Sequence, residues 1–124
     1  MSEADGTNFS VLLGPHVAKR AFKAGELIFR EGDPASEMYV IEVGQVEIQS
    51  GNRVLDTLGS RSIFGEMALV DGAPRSATAK ALTDVSVVPV SEKQFLFLVS
   101  QTPYFALNVM RVLAGRLRTA NKAV

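Results

Sequence analysis

The 124-residue chain contains no cysteine, no tryptophan and a single histidine. Without cysteine there is neither a disulfide framework nor thiolate chemistry, and the redox compartment is left undetermined. With His16 alone, near the N-terminus, the histidine-rich metal site that small barrels often hold cannot be assembled. Charge of one sign is missing too: 13 basic and 13 acidic side chains cancel. No net field then holds the chain on a nucleic-acid backbone or an anionic membrane, and any anionic ligand must be small and locally recognised. No apolar run approaches the roughly 18 residues of a membrane span, and the opening MSEADGTNFS has neither a basic n-region nor an apolar h-region. The expected address is cytoplasmic. The patterns G-x-S-x-G, H-E-x-x-H and G-x-x-x-x-G-K-[ST] are absent, and most central acids fall at outward strand positions or in turns. These absences point to a binding module and not an enzyme, with no metal and no cofactor.

What is present is an ordinary globular balance, 47% apolar and 21% charged, in a length that suits one domain, residues 1–124, with a single core. Seven glycines, at 25, 32, 44, 51, 59, 65 and 72, punctuate short runs rich in Val, Ile, Phe and Tyr, which is the signature of strands and turns. In MYVIEVGQVEIQ, Tyr39, Ile41 and Val43 alternate, and Val46 and Ile48 continue opposite Gln45, Glu47 and Gln49; this predicts one buried and one wet face. Further strands are expected at Leu27–Arg30, Arg53–Leu58, Ser76–Leu82 and Val85–Val90, with turns at 31–34 and 50–52 and Pro89 at an edge or strand end. Many short strands without βαβ alternation predict an α+β chain, mainly β: an antiparallel β-roll, like a jelly-roll barrel, over about 22–90.

After Val90 the period changes. Ser91 followed by Gln94 reads as a capping box, and SEKQFLFLV carries apolar residues at helical spacing. Thr102 precedes Pro103, which disfavours helix at 102 yet suits the first position of a new one, so two helices meet there at a potential hinge. From Pro103 on, Leu107, Met110, Ala114, Leu117, Asn121 and Val124 recur at spacings of three and four, an a/d seam. Such a seam fits either a helix folded back on the roll or one that pairs with a second copy or a partner. Arg111, Arg116, Arg118 and Lys122 give this helix a local positive surplus, which a solvated face explains.

The stretch FGEMALVDGAPRSATAKA, residues 64–81, carries the chemistry. Gly65 lets the backbone turn closely, and Glu66 to Val70 reads as one helical turn whose first N–H groups have no internal partner. Such an end attracts an anion, although Glu66 there is equally explained by the helix dipole. Pro74 fixes the approach to Arg75, which by itself would be a solvated turn residue. Together, a helix start, a carboxylate, a loop through Asp71 and Gly72, and a guanidinium beside a hydroxyl can converge on a ligand carrying a monoanionic phosphate and a neighbouring hydroxyl.

This stretch resembles the phosphate-binding cassette of cyclic nucleotide-binding domains, the sensors of cAMP-dependent kinase regulatory subunits, catabolite activator proteins and cyclic-nucleotide-gated channels. Residues 22–48, FKAGELIFREGDPASEMYVIEVGQVEI, are similar to that family's opening strands, and the likeness extends over about 22–118. It implies that Glu66 accepts a hydrogen bond from the ribose 2′-hydroxyl and Arg75 pairs with the cyclic phosphate, roles that suit an acceptor-only carboxylate and a planar fork of donors. Backbone N–H groups near Gly65, Met67, Ala68 and Ala77 complete the implied pocket. Ser76 can reach the phosphate or a guanine amine, so the resemblance implies cAMP as the ligand and leaves cGMP open. The base cap is implied on the C-terminal helix, with Leu113, Arg116 and Leu117 as candidates. The expected function is a regulatory cyclic-nucleotide sensor acting through helices at about 91–124. Two alternatives stay open: the sensor half of a transcription regulator whose DNA-binding domain is absent here, so that this chain alone binds no nucleic acid, and a ligand-free module that dimerises or docks through the seam.

Overall fold

The computed structural model describes residues 17–122; His16, Val124 and the side chains of Asn121 and Lys122 lie outside what is described. These residues belong to two compact units, 17–92 and 93–122. In the first unit the chain forms β1 (Arg20–Phe22), β2 (Leu27–Phe29), β3 (Glu37–Val43), β4 (Val46–Ser50), β5 (Arg53–Leu58), β6 (Ile63–Phe64), α1 (Met67–Asp71), β7 (Thr78–Ala81) and β8 (Val85–Ser91). Two four-stranded sheets result, ordered β1-β8-β3-β6 and β2-β7-β4-β5, with every pairing antiparallel. Only β4 and β5 follow one another within a sheet, joined by the turn expected at 50–52. Every other connection crosses to the opposite sheet, giving the expected β-roll, although the two sheets are not closed into one hydrogen-bonded barrel.

Between the sheets lies a core of Tyr39, Ile41, Phe64, Val85 and Val87 from one and Val46, Ala79 and Ala81 from the other. The alternation read from β3 captured only part of its packing. Met38, Tyr39, Val40 and Ile41 are all buried, while Val43 is exposed, so both faces of β3 are dry over those four residues and neither is wet. Gly44 then carries the chain across to the other sheet. Its φ of +100° suits glycine, and a Cβ there would lie 2.4 Å from the Asp84 carbonyl oxygen.

Pro89, expected at an edge or strand end, lies instead within β8, which is flanked by β1 and β3; it is tolerated because its other side, away from β3, is locally unpaired. It pairs with Tyr39 of β3 on one side, while the β1 pairing on the other side stops at Val87. Two strands escaped the sequence reading: β1, whose Arg20 and Ala21 precede the expected start, and β6, only two residues long. Ser76 and Ala77, expected to open a strand, form a bend instead, and β7 begins at Thr78.

The second unit holds α2 (Glu92–Gln101) and α3 (Pro103–Lys122). The first of these helices starts directly after Ser91 and the second at Pro103, as the capping and proline signals require. At the junction the Thr102 N–H and hydroxyl both donate to the Leu98 carbonyl, at 2.8 and 2.9 Å, and the Phe105 N–H donates to the Thr102 carbonyl at 2.8 Å. The Phe95 and Phe105 rings meet edge-on, centroids 5.2 Å apart. On α3 the buried stripe is Phe105, Val109 and Val112. The seam read from the sequence is a different one: Met110, Ala114 and Leu117 are exposed and Leu107 is half-buried. No helix among the described residues is long and apolar enough to cross a membrane.

Candidate functional site

The expected cassette occupies the segment between β6 and β7. After Phe64 the chain turns at Gly65, with φ of +76°, into the single-turn helix α1. Glu66 is the residue before that helix and not its first member; it sits in the right-handed helical region and its side chain does not cap α1. The helix ends at Gly72, whose left-handed conformation lets its N–H return to the Ala68 carbonyl, and the Asp71 carboxylate accepts from the Ala73 N–H at 3.0 Å. The loop through 71–73 is thus closed by its own hydrogen bonds, which fixes where Pro74 and Arg75 emerge.

Arg75 is held at both its main chain and its side chain. Its N–H donates to the Asp33 carbonyl at 2.9 Å, and its carbonyl accepts from Gly32 at 2.8 Å. That EGDP turn is itself closed by Asp33, whose carboxylate accepts the Arg30 N–H at 3.0 Å. At the guanidinium, Nη1 donates to the Gly65 carbonyl at 3.1 Å and Nη2 to the Glu37 carbonyl at 2.8 Å. The guanidinium carbon lies 4.1 Å from the Phe29 ring centroid and 5.6 Å from that of Tyr39. Tyr39 in turn stacks on both Phe29 and Phe64, which are tilted to one another, with centroids 5.2 to 6.1 Å apart. Close approach depends on the missing side chain at residue 65, where a Cβ would stand 2.7 Å from Nη1.

Two charged side chains are buried among the described residues, Glu66 at 3% exposure and Arg75 at 7%. Both come from the cassette, and the contact of Arg75 with the Gly65 carbonyl places its guanidinium beside the residue preceding Glu66. No acid among the described residues lies within ion-pair distance of Arg75, and its Nε is buried without a hydrogen-bond partner. Burial holds the Arg75 guanidinium below its ordinary pKa, opposed by the pull of Tyr39 and Glu37. The groups in direct contact with this buried cation are neutral carbonyls and ring faces, with Glu37 and Asp33 acting on it only at longer range, so its charge is incompletely matched.

Of the other expected site residues, Ala68 and Ala77 are buried and Met67 and Ser76 are exposed. The Ala68 N–H donates to the Gly65 carbonyl at 3.4 Å. Leu113, Arg116 and Leu117 lie on α3, in the second unit. Sequence reasoning missed Phe29 and Tyr39, the Gly32–Asp33 turn and the Glu37 carbonyl. The aromatic pair carried a weak signal, being strand residues on an otherwise aliphatic face; a main-chain carbonyl carries none, because any residue supplies one.

Comparison with known proteins gives the same picture. The family described as "Cyclic nucleotide-binding domain" matches residues 19–102. A curated relative, the "Cyclic AMP receptor protein" of Thermus thermophilus, is 33% identical over 108 residues, 83% of this chain and 50% of its own. The crystal structure of Thermus thermophilus catabolite activator protein superposes with a TM-score of 0.79 at 32% identity, over 86% of this chain and 53% of that one. The EAL enzyme Bd1971 is similar in its cAMP-bound form, with TM-score 0.64 and 38% identity, and in its cGMP-bound form, with 0.65 and 37%. These cover 85% and 86% of this chain, and 30% of the enzyme in each case. The chain spans about half the length of the curated relative it matches. With a matching roll, an intact cassette and a family match over most of its length, the chain belongs to the cyclic nucleotide-binding domain family.

Proposed function

We propose that this chain is a regulatory sensor module that binds a cyclic purine nucleotide, cAMP or cGMP, through Arg75 and Glu66, and is not itself a catalyst. The observation that carries this reading is the Arg75 guanidinium, buried and without a carboxylate partner among the described residues. A cyclic phosphate monoanion supplies the charge that this group lacks, and a planar fork with a spare Nε–H suits phosphate oxygens. Glu66 accepts the ribose 2′-hydroxyl in this reading, and N–H groups of the cassette around Gly65, Met67 and Ala77 complete the phosphate's contacts. The exposed hydroxyl of Ser76 keeps either purine open, in line with a relative whose structures hold cAMP in one form and cGMP in another.

Charge-assisted hydrogen bonds contribute about 1.5–3 kcal/mol each. Isothermal calorimetry is therefore expected to show Arg75→Leu weakening cAMP at least about 30-fold, near 2 kcal/mol. The 2′-deoxy analogue is expected to bind wild type about tenfold more weakly than cAMP and to show no such deficit on Glu66→Ala, which leaves no acceptor for the hydroxyl. Equal affinity of wild type for cAMP and its deoxy analogue removes Glu66 from its role, and an Arg75→Leu variant that folds and binds normally overturns the reading.

Transmission through α2 and α3, hinged at Thr102, belongs to the same proposal, as do a cytosolic location and assembly through α3. The exposed Met110 and Leu117, seven residues apart on one helix, favour a homodimer or a partner helix on that face. A match to half of a longer relative is compatible with a sensor half whose output domain lies elsewhere, and this chain alone is expected to bind no nucleic acid.

A further inference from the structure

Glu37 offers two groups to two different arginines. Its carbonyl accepts from Arg75 Nη2 at 2.8 Å. Its carboxylate engages Arg20 on β1, whose Nη1 and Nη2 lie 2.5 and 3.4 Å from the two oxygens. The Tyr39 hydroxyl donates to the same carboxylate at 2.9 Å and lies 3.3 Å from Arg20 Nη1. Side chains two apart leave a strand on one face, and Arg75 packs over the ring of Tyr39. The Glu37 carboxylate therefore projects toward the side on which Arg75 lies. Because the Glu37 carbonyl already touches that guanidinium, its carboxylate is within a side chain's length of it as well.

We propose that Arg20 is a positioning residue for the anion site: by engaging the Glu37 carboxylate it keeps that acid from closing an internal ion pair with Arg75. The inference rests on Arg75 being the phosphate ligand. Carboxylate and phosphate compete for the same fork of donors, and Glu37 would be an intramolecular competitor present at high effective concentration. Arg20 and Tyr39 hold it in a second, equally satisfied arrangement. The Glu37 carboxyl reflects this: burial pushes its pKa up, but the hydrogen bonds from Arg20 and Tyr39, together with the charges of Arg20 and of Arg75 nearby, outweigh burial and hold it below the usual range. A purely structural role for the pair predicts something else. The side chains of Arg20 and Glu37 are 49% and 22% exposed, and ion pairs with such exposure contribute little to stability, so their loss would leave nucleotide affinity alone.

The test is a cycle of Arg20→Gln, Glu37→Gln and the double variant, read by calorimetry with cAMP. Arg20→Gln is expected to weaken binding about fivefold, the size of one partly exposed charge pair. Glu37→Gln and the double variant are expected to bind within about twofold of wild type. Lys19→Gln serves as a charge control: Lys19 also lies beside β1 and pairs with Glu42, so its removal takes away a nearby cation without releasing Glu37. Equal weakening by Lys19→Gln, or a double variant as weak as Arg20→Gln, overturns the proposal, as does unchanged affinity in Arg20→Gln. A second measurement needs no nucleotide. The side-chain 15N–1H resonances of Arg75 are expected to move in Arg20→Gln and return in the double variant. If wild type binds no cyclic nucleotide, the assignment of Arg75 fails on its own account. The resonances then decide the present inference, and their constancy sinks it.

Discussion

A guanidinium held only by carbonyl oxygens and aromatic faces is fixed in place without being neutralised. Each ring contact of this kind contributes about 0.5–2 kcal/mol, enough to orient Arg75 over Phe29 while leaving its charge for an incoming anion. Gly65 belongs to the same arrangement, since its carbonyl accepts from Nη1 and its bare Cα makes the approach possible. Gly65→Ala therefore acts in two ways. The left-handed backbone makes it costly by about 1–2 kcal/mol, and the methyl displaces the guanidinium, the more yielding neighbour. Denaturant melts should show the first effect. Calorimetry should show a loss of cAMP affinity of at least about tenfold, more than destabilisation accounts for, because a small drop in folding free energy leaves nearly all of the protein folded. At this scale the sequence was legible where chemistry is written in side chains: Glu66 and Arg75 stood out and are the two buried charges among the described residues. It was silent on Glu37, whose part at Arg75 is played by its main chain.

Among the elements, those with a strong local signal were readable. The Gly51–Asn52 turn between β4 and β5, the short helix after Gly65, and the break at Thr102–Pro103 all lie where turn, cap and proline chemistry put them. Strands of two or three residues have no period to read; β1 and β6 were missed, while the equally short β2 was found from its unbroken apolar run Leu27, Ile28, Phe29 ahead of the turn at 31–34. In β3 the run Met38–Ile41 is apolar on both faces, and a period of two cannot be recognised where every position is apolar. The third helix shows the same difficulty at another period: its apolar residues form two overlapping stripes, and spacing alone picked Met110 and Leu117 over the buried Phe105, Val109 and Val112. That misreading has a use. An exposed Met110 is a candidate contact for a second copy, and burying such a side chain contributes about 1.5–3 kcal/mol. Met110→Glu is expected to weaken any self-association seen by analytical ultracentrifugation at least about tenfold while leaving the far-ultraviolet circular dichroism unchanged. A chain that sediments as a monomer at millimolar concentration sinks the assembly reading.

For the molecule as a whole, fold and family could be read because the roll's glycines and the cassette are dense in specific residues, whereas what the sensor controls is not encoded in this stretch. Binding nonetheless has a global signature. A ligand that prefers the native state, present at a hundred times its dissociation constant, adds about 2.7 kcal/mol of stability, which for a domain of this size raises the melting temperature by roughly 10 °C. A thermal-shift panel of cAMP, cGMP and linear AMP is expected to show that rise for at least one cyclic ester; a flat panel argues for the docking module instead. The buried Arg75 cation also bears on how the protein should be handled. If Arg75 takes an oxyanion as proposed, titrations carried out in phosphate or sulfate buffer are expected to understate the affinity for a cyclic nucleotide, and chloride-based buffers free of both to recover it.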